Sequence, residues 1–81
     1  MNDTPRLTRD LQVMPENIRD ALESRNLMAA YEERPAYQRN DYLAWIDRAR
    51  RPETRQKRLD QMLEELTKGG VYMGMRHNPS A

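Results

Sequence analysis

Apolar residues recur at helical spacing along most of the chain, and prolines punctuate the recurrence. Ile18, Ala21 and Leu22 lie three and four residues apart and share one face of a first helix. Pro15 opens it, since proline suits a first helical position where its missing N–H would be unpaired anyway. Glu16 then sits near the positive end of the helix dipole, and Asn26 reads as a stop or as the cap of the next element. Leu27, Met28, Ala30 and Tyr31 predict a second, short helix. It must end near Arg34, because the residue before Pro35 is driven out of the helical region. Pro35 opens a third helix, in which Tyr42, Trp45, Ile46 and Ala49 recur at i, i+3, i+4 and i+7. With Leu43 they cover roughly 160° of the helix surface, leaving Asp41, Ala44, Asp47 and Arg48 on a wet back. Pro52 starts a fourth helix with Glu53 in its first turn. Leu59, Met62, Leu63 and Leu66 repeat the same spacing, and Gly69 closes it.

Residues 1–13 lack periodicity and are expected to form a flexible arm, although the alternation of Leu11 and Val13 predicts a short extended stretch lying on the body. The helical domain is placed at 14–69. Residues 70–81 form a glycine-punctuated tail, in which Val71, Tyr72 and Met73 are expected to dock and the last five residues to fray. No segment alternates for long enough to predict a sheet. The expected fold is all-α: a compact bundle of three to four short helices with an irregular N-terminal arm and C-terminal tail.

Composition narrows the class. Eighty-one residues make one domain of modest stability. The clustering of its apolar residues argues against disorder. The chain has no cysteine, hence no disulfide and no thiolate metal site, which favours a reducing compartment. No apolar run near the N-terminus resembles a signal peptide. No stretch approaches the roughly 20 apolar residues of a membrane span. The expected location is the cytoplasm.

A net charge of +1 points to no partner, but its distribution does. Between Arg48 and Arg58 there are six basic residues (Arg48, Arg50, Arg51, Arg55, Lys57 and Arg58) against Glu53 alone, a local net of +5. Such a segment attracts phosphate or acidic protein surfaces, unless its arginines are merely solvated.

Catalytic groups do not converge. His77 is the one histidine and lies in the tail, so a metal site would need carboxylates brought in from elsewhere. The pairs Glu32-Glu33 and Glu64-Glu65 point about 100° apart on a helix and are expected to be ordinary solvated acids. Gly69, Gly70 and Gly74 follow a helix rather than precede one, the wrong order for a phosphate cradle. Neither enzymatic activity nor a cofactor or metal is expected.

Several segments together resemble one family. They are Met14-Pro15-Glu16 followed by Ala21-Leu22, Tyr31-Glu32, Tyr42-Leu43-Ala44-Trp45-Ile46, Ala49-Arg50-Arg51-Pro52-Glu53-Thr54-Arg55, Arg58-Leu59, and Met62-Leu63 with Gly69. The stretch from Trp45 to Arg58 is the specific part. The chain from Pro15 to Gly69 resembles the YdeI/OmdA family, described as bacteriocin-protection, YdeI or OmpD-associated. The resemblance implies a helical module linked to bacteriocin or envelope-stress protection, and brings no enzymatic motif with it.

The expected interaction surface is the corner between the third and fourth helices. Arg51, Thr54, Arg55 and Arg58 are its candidate binding residues, with Trp45 and Tyr42 as an aromatic wall. Arg55 falls four residues before Leu59, on the core-facing line. It is expected either to tether the corner, by bonding carbonyls at the end of the third helix or an acid such as Asp47 or Glu32, or to hold an anion at the start of the fourth helix. The expected partner is an unidentified acidic protein or anionic ligand. Two alternatives stand beside it. One is a helix-turn-helix-like DNA-binding module reading bases with Arg55 and Gln56, disfavoured by Glu53, Asp60 and Glu64 on the same helix. The other is a structural or oligomerisation helper using the Val71-Tyr72-Met73 tail.

Overall fold

A computed structural model describes residues 13–76. Four helices follow one another: α1 (Glu16–Ser24), α2 (Met28–Glu33), α3 (Ala36–Asp47) and α4 (Pro52–Lys68). A small hairpin, β1 (Val71–Tyr72) and β2 (Met75–Arg76), closes the described chain. The prolines set the boundaries. Pro15 and Pro35 are extended, with ψ of 154° and 150°, and each immediately precedes a helix. The Pro15 carbonyl accepts from the amides of Ile18 and Arg19, and that of Pro35 from Gln38 and Arg39. Arg34 is extended ahead of Pro35, as that proline requires. Pro52 occupies the first turn of α4. Asn26 reverses the chain between α1 and α2 at φ 58°, a region asparagine tolerates better than most residues.

The core is drawn from all four helices. Ile18 and Leu22 of α1, Tyr31 of α2, Tyr42, Leu43 and Ile46 of α3, and Leu59, Met62, Leu63 and Leu66 of α4 form one buried cluster. α4, the longest helix, packs against α3, α2 and β1, while α1 packs on α2. The periodic positions of the sequence are therefore the ones removed from water, the main source of folding free energy.

The ends depart from expectation. Val13 is 87% exposed, so the alternation of Leu11 and Val13 does not mark a docked stretch at Val13. Leu11, with the rest of residues 1–12, and the last five residues of the tail lie outside the described residues. The tail is not irregular at its start: Val71 pairs with Arg76 and Tyr72 with Met75 in antiparallel register. The loop is two residues, Met73 and Gly74, at φ 53° and 79°. Positive φ at both positions marks a type I′ turn, whose twist matches that of the strands. Methionine in the left-handed region costs about 1–2 kcal/mol, so something outside the turn holds it.

Candidate functional site

The basic segment folds into the corner between α3 and α4. A helix end leaves carbonyls without intrahelical partners, and here arginines from α4 reach back to one carbonyl in the last turn of α3 and one just past it. Arg58 donates from Nη1 to the Trp45 carbonyl at 2.6 Å. Its guanidinium carbon lies 5.3 Å from the centroid of the Trp45 ring. Arg55 donates from Nη2 to the Ala49 carbonyl at 3.0 Å. Cations at a helix C-terminus also meet the negative end of its dipole. Arg58→Ala removes both the hydrogen bond and the ring contact, and is expected to lower the unfolding free energy measured by urea denaturation by about 1–2 kcal/mol. Arg58→Lys should recover only part of that, because an ammonium lacks the planar stacking face.

The six candidate residues separate into groups. Arg51 is exposed and sits just before α4 in extended conformation, its carbonyl accepting the Arg55 amide at 2.9 Å. Thr54 is half-buried in the first turn. Arg55 is exposed, so its place on the core-facing line does not carry it inside; the core of α4 begins one turn later, at Leu59. Arg58 and Trp45 are half-buried against each other. Tyr42 does not belong to the corner. It is 0% exposed, on the stripe of α3 that faces inward, and its hydroxyl is committed elsewhere. It cannot serve as a wall for a ligand there.

Around the braces stand cations with no partner. Arg48, Arg50, Arg51 and Lys57 are exposed, and among the described residues none of the four is paired with a carboxylate. Beside them Pro15, Asn17, Ile18, Leu43, Ile46, Asp47 and Arg55 line a cleft of about 390 Å³. Arg55 therefore stands on the rim of a concavity while holding the Ala49 carbonyl with one of its nitrogens.

The other end of α4 carries a buried polar hub that composition and periodicity did not disclose. Arg34 is 6% exposed and Glu65 4% exposed. Arg34 donates from Nη1 to Gln38 Oε1 at 3.2 Å and from Nη2 to the Glu65 backbone carbonyl at 3.0 Å. The Glu65 carboxylate accepts from the Tyr42 hydroxyl, from Gln61 Nε2 at 2.9 Å, and from the backbone amides of Met73 and Gly74 at 2.8 Å each. Those two amides belong to the strained turn, so charge-assisted bonds to Glu65 hold the hairpin in its left-handed geometry. Tyr72 adds a bond from its hydroxyl to Asp41 Oδ2 at 2.7 Å and sets its ring edge-on against Tyr42, centroids 5.4 Å apart. The expectation that both glutamate pairs are solvated therefore fails at Glu65. Glu32, Glu33 and Glu64 are exposed, and Glu64 makes only an exposed pair with Lys68 at 3.4 Å, a contact of little energetic weight.

Burial raises the Glu65 pKa, but the bonds from Tyr42, Gln61, Gly74 and Met73 outweigh it and hold the carboxyl below its ordinary value. Burial first, then donation to Glu65 and the charge of that carboxylate, push the Tyr42 hydroxyl far above the usual tyrosine range, against the pull of Arg34. A carboxyl whose folded pKa is depressed stabilises the fold above its unfolded value and loses that contribution as pH falls through the folded one. The difference in Tm between the wild type and Glu65→Gln is therefore expected to be constant at neutral pH and to shrink as the solution is acidified below about 4.5. Thermal scans across that range check it; a difference independent of pH down to strong acid contradicts it.

Signals for this hub exist in hindsight. Gln38, Tyr42 and Ile46 recur every four residues on α3, so a glutamine stands on the core line. Glu65 flanks the apolar stripe of α4 three residues after Met62, near enough to be covered when another element packs there. Among the described residues no group of three or more His, Asp or Glu side chains is placed to hold a metal, and no helix is long and apolar enough to cross a membrane.

Comparison with protein families matches residues 12–69 to the family described as "Bacteriocin-protection, YdeI or OmpD-Associated". The chain belongs to the YdeI/OmdA family. The match covers all four helices and ends at Gly69, so the basic corner and the hub residues Arg34, Gln38, Tyr42, Gln61 and Glu65 are parts of a YdeI/OmdA domain, while the hairpin lies beyond the matched span. Neither the curated proteins nor the solved structures gave a match.

Proposed function

We propose that this YdeI/OmdA domain is a non-enzymatic interaction module that binds an acidic or phosphate-bearing partner at the corner between α3 and α4. The observation that carries the reading is the separation of the corner arginines by task. Arg58 is spent on the Trp45 carbonyl and ring, whereas Arg48, Arg50 and Arg51 are exposed and unpaired. Unpaired cations concentrated in one short segment raise the local potential and steer anionic groups toward it. Arg55 completes the surface from the rim of the neighbouring cleft, and Thr54 supplies a hydroxyl in the first turn of α4. In this reading the domain works in the cytoplasm, in a process connected with the bacteriocin protection that names its family.

Duplex DNA is the weaker reading. Gln56 donates to Asp60 at 2.9 Å, so the side chain best suited to reading a base is already engaged by an acid on the same helix. An amide chemical-shift titration with a glutamate-rich peptide, its phosphorylated counterpart and duplex DNA tests the proposal. Peptide-induced shifts should cluster on residues 48–56. Shifts centred elsewhere, no binding at low salt, or duplex binding with a steep salt dependence and no peptide binding would each refute it.

A further inference from the structure

The hairpin is attached to the helical body differently from the way the helices are attached to one another. The buried cluster draws on α1 to α4, and Tyr72 and Met73 only pack against its edge. Among the described residues, the contacts that hold the hairpin include the Met73 and Gly74 amides on the Glu65 carboxylate, the Tyr72 hydroxyl on Asp41, and the Tyr72 ring edge-on to Tyr42 and to Tyr37. Its strands have two residues each, too few to stand alone in water. Its turn stores strain at Met73, where φ is 53°. Gly74 is exposed and Met75 is 60% exposed. Few buried apolar contacts and an exposed turn are the marks of a segment that opens locally below the global unfolding free energy.

We propose that the hairpin is a strap latched by Glu65, which opens and closes as a unit on a folded four-helix body. Opening bares a face made of Tyr37, Asp41, Tyr42 and Glu65, acidic and aromatic where the α3–α4 corner is basic. The two faces lie toward opposite ends of α4, with Thr54 and Glu65 roughly 16 Å apart along its axis. The inference does not depend on anion binding at the corner. The latch works because a carboxylate has acceptor oxygens for both turn amides at once. An amide side chain at the same place must turn an NH₂ toward one of the bonds that Glu65 accepts, and the turn then loses the bond that offsets its strain.

Amide hydrogen exchange on the full chain at neutral pH tests this. In the wild type, Met73 and Gly74 should exchange by local opening that is insensitive to low denaturant, while the Leu59, Met62, Leu63 and Leu66 amides exchange only through unfolding of the body. In Glu65→Gln, exchange at Met73 and Gly74 should rise at least tenfold relative to those α4 amides, with the dispersed signals of the helices retained. Unchanged relative protection at the turn in Glu65→Gln overturns the proposal. So does a wild-type denaturant series in which the hairpin and α4 amides follow one common unfolding free energy. Should Glu65→Gln fail to fold, the wild-type series alone decides.

Discussion

Arg34→Ala is expected to lower the unfolding free energy by about 2–4 kcal/mol, because it strips the donor from two buried acceptors. The guanidinium is 6% exposed and gives one hydrogen bond to Gln38 Oε1 and another to the Glu65 carbonyl. Alanine leaves both acceptors buried without that donor. For a domain of this size about 1 kcal/mol corresponds to a shift in Tm of about 4–8 °C, so Tm should fall by at least about 8 °C. Arg34→Lys should not restore it, since one ammonium cannot reproduce the two directed bonds of the fork. A double variant, Arg34→Met with Glu65→Gln, should lose less than the sum of its singles, because both changes disrupt the same buried hydrogen-bond network. Thermal denaturation followed by circular dichroism reads the wild type and every variant; strict additivity would show that the two residues do not cooperate.

The second large effect concerns binding. Arg48→Glu with Arg51→Glu moves the net charge of the Arg48–Arg58 segment from +5 to +1. Each reversal removes an attraction and adds a repulsion of up to about 1 kcal/mol apiece, so affinity for a glutamate-rich peptide should fall on the order of 30- to 100-fold at low salt. Both side chains are exposed, and among the described residues neither makes a side-chain hydrogen bond or ion pair. Surface changes of this kind leave stability within about 0.5 kcal/mol, so Tm should hold while affinity drops. Isothermal titration alongside a thermal scan measures the two together. An unchanged Kd in the double variant would remove the unpaired arginines from the interaction.

The helices were legible because their punctuation is local chemistry. Pro15, Pro35 and Pro52 constrain their own φ and the residue before them, and Gly69 adopts φ 83° at the end of α4. The apolar stripe of α4 is legible for the same reason, since four leucine and methionine side chains at helical spacing leave one face to bury. The hairpin was not legible. Two-residue strands are too short to show a period of two, and Met73 is a residue that turn preferences do not favour in the left-handed region. It adopts that geometry because Glu65, eight residues earlier, binds its amide. Arg34 and Glu65 were hidden for a related reason. A charged residue beside an apolar stripe reads as solvated unless the tertiary neighbour that covers it is known, and Glu65 is covered by the same hairpin. The corner was half legible. Its charge is plain in the sequence, but which arginines are occupied depends on where the last carbonyls of α3 point.

The central claim is that the arginines divide into structural braces and a free, anion-binding set. The most direct measurement is the side-chain Nε–Hε spectrum of the arginines during titration with a glutamate-rich peptide. The account predicts that the signals of Arg48, Arg50 and Arg51 move as peptide is added, while those of Arg34 and Arg58 stay where they are. Movement of Arg34 or Arg58, or saturable binding that leaves every corner arginine unmoved, would contradict it.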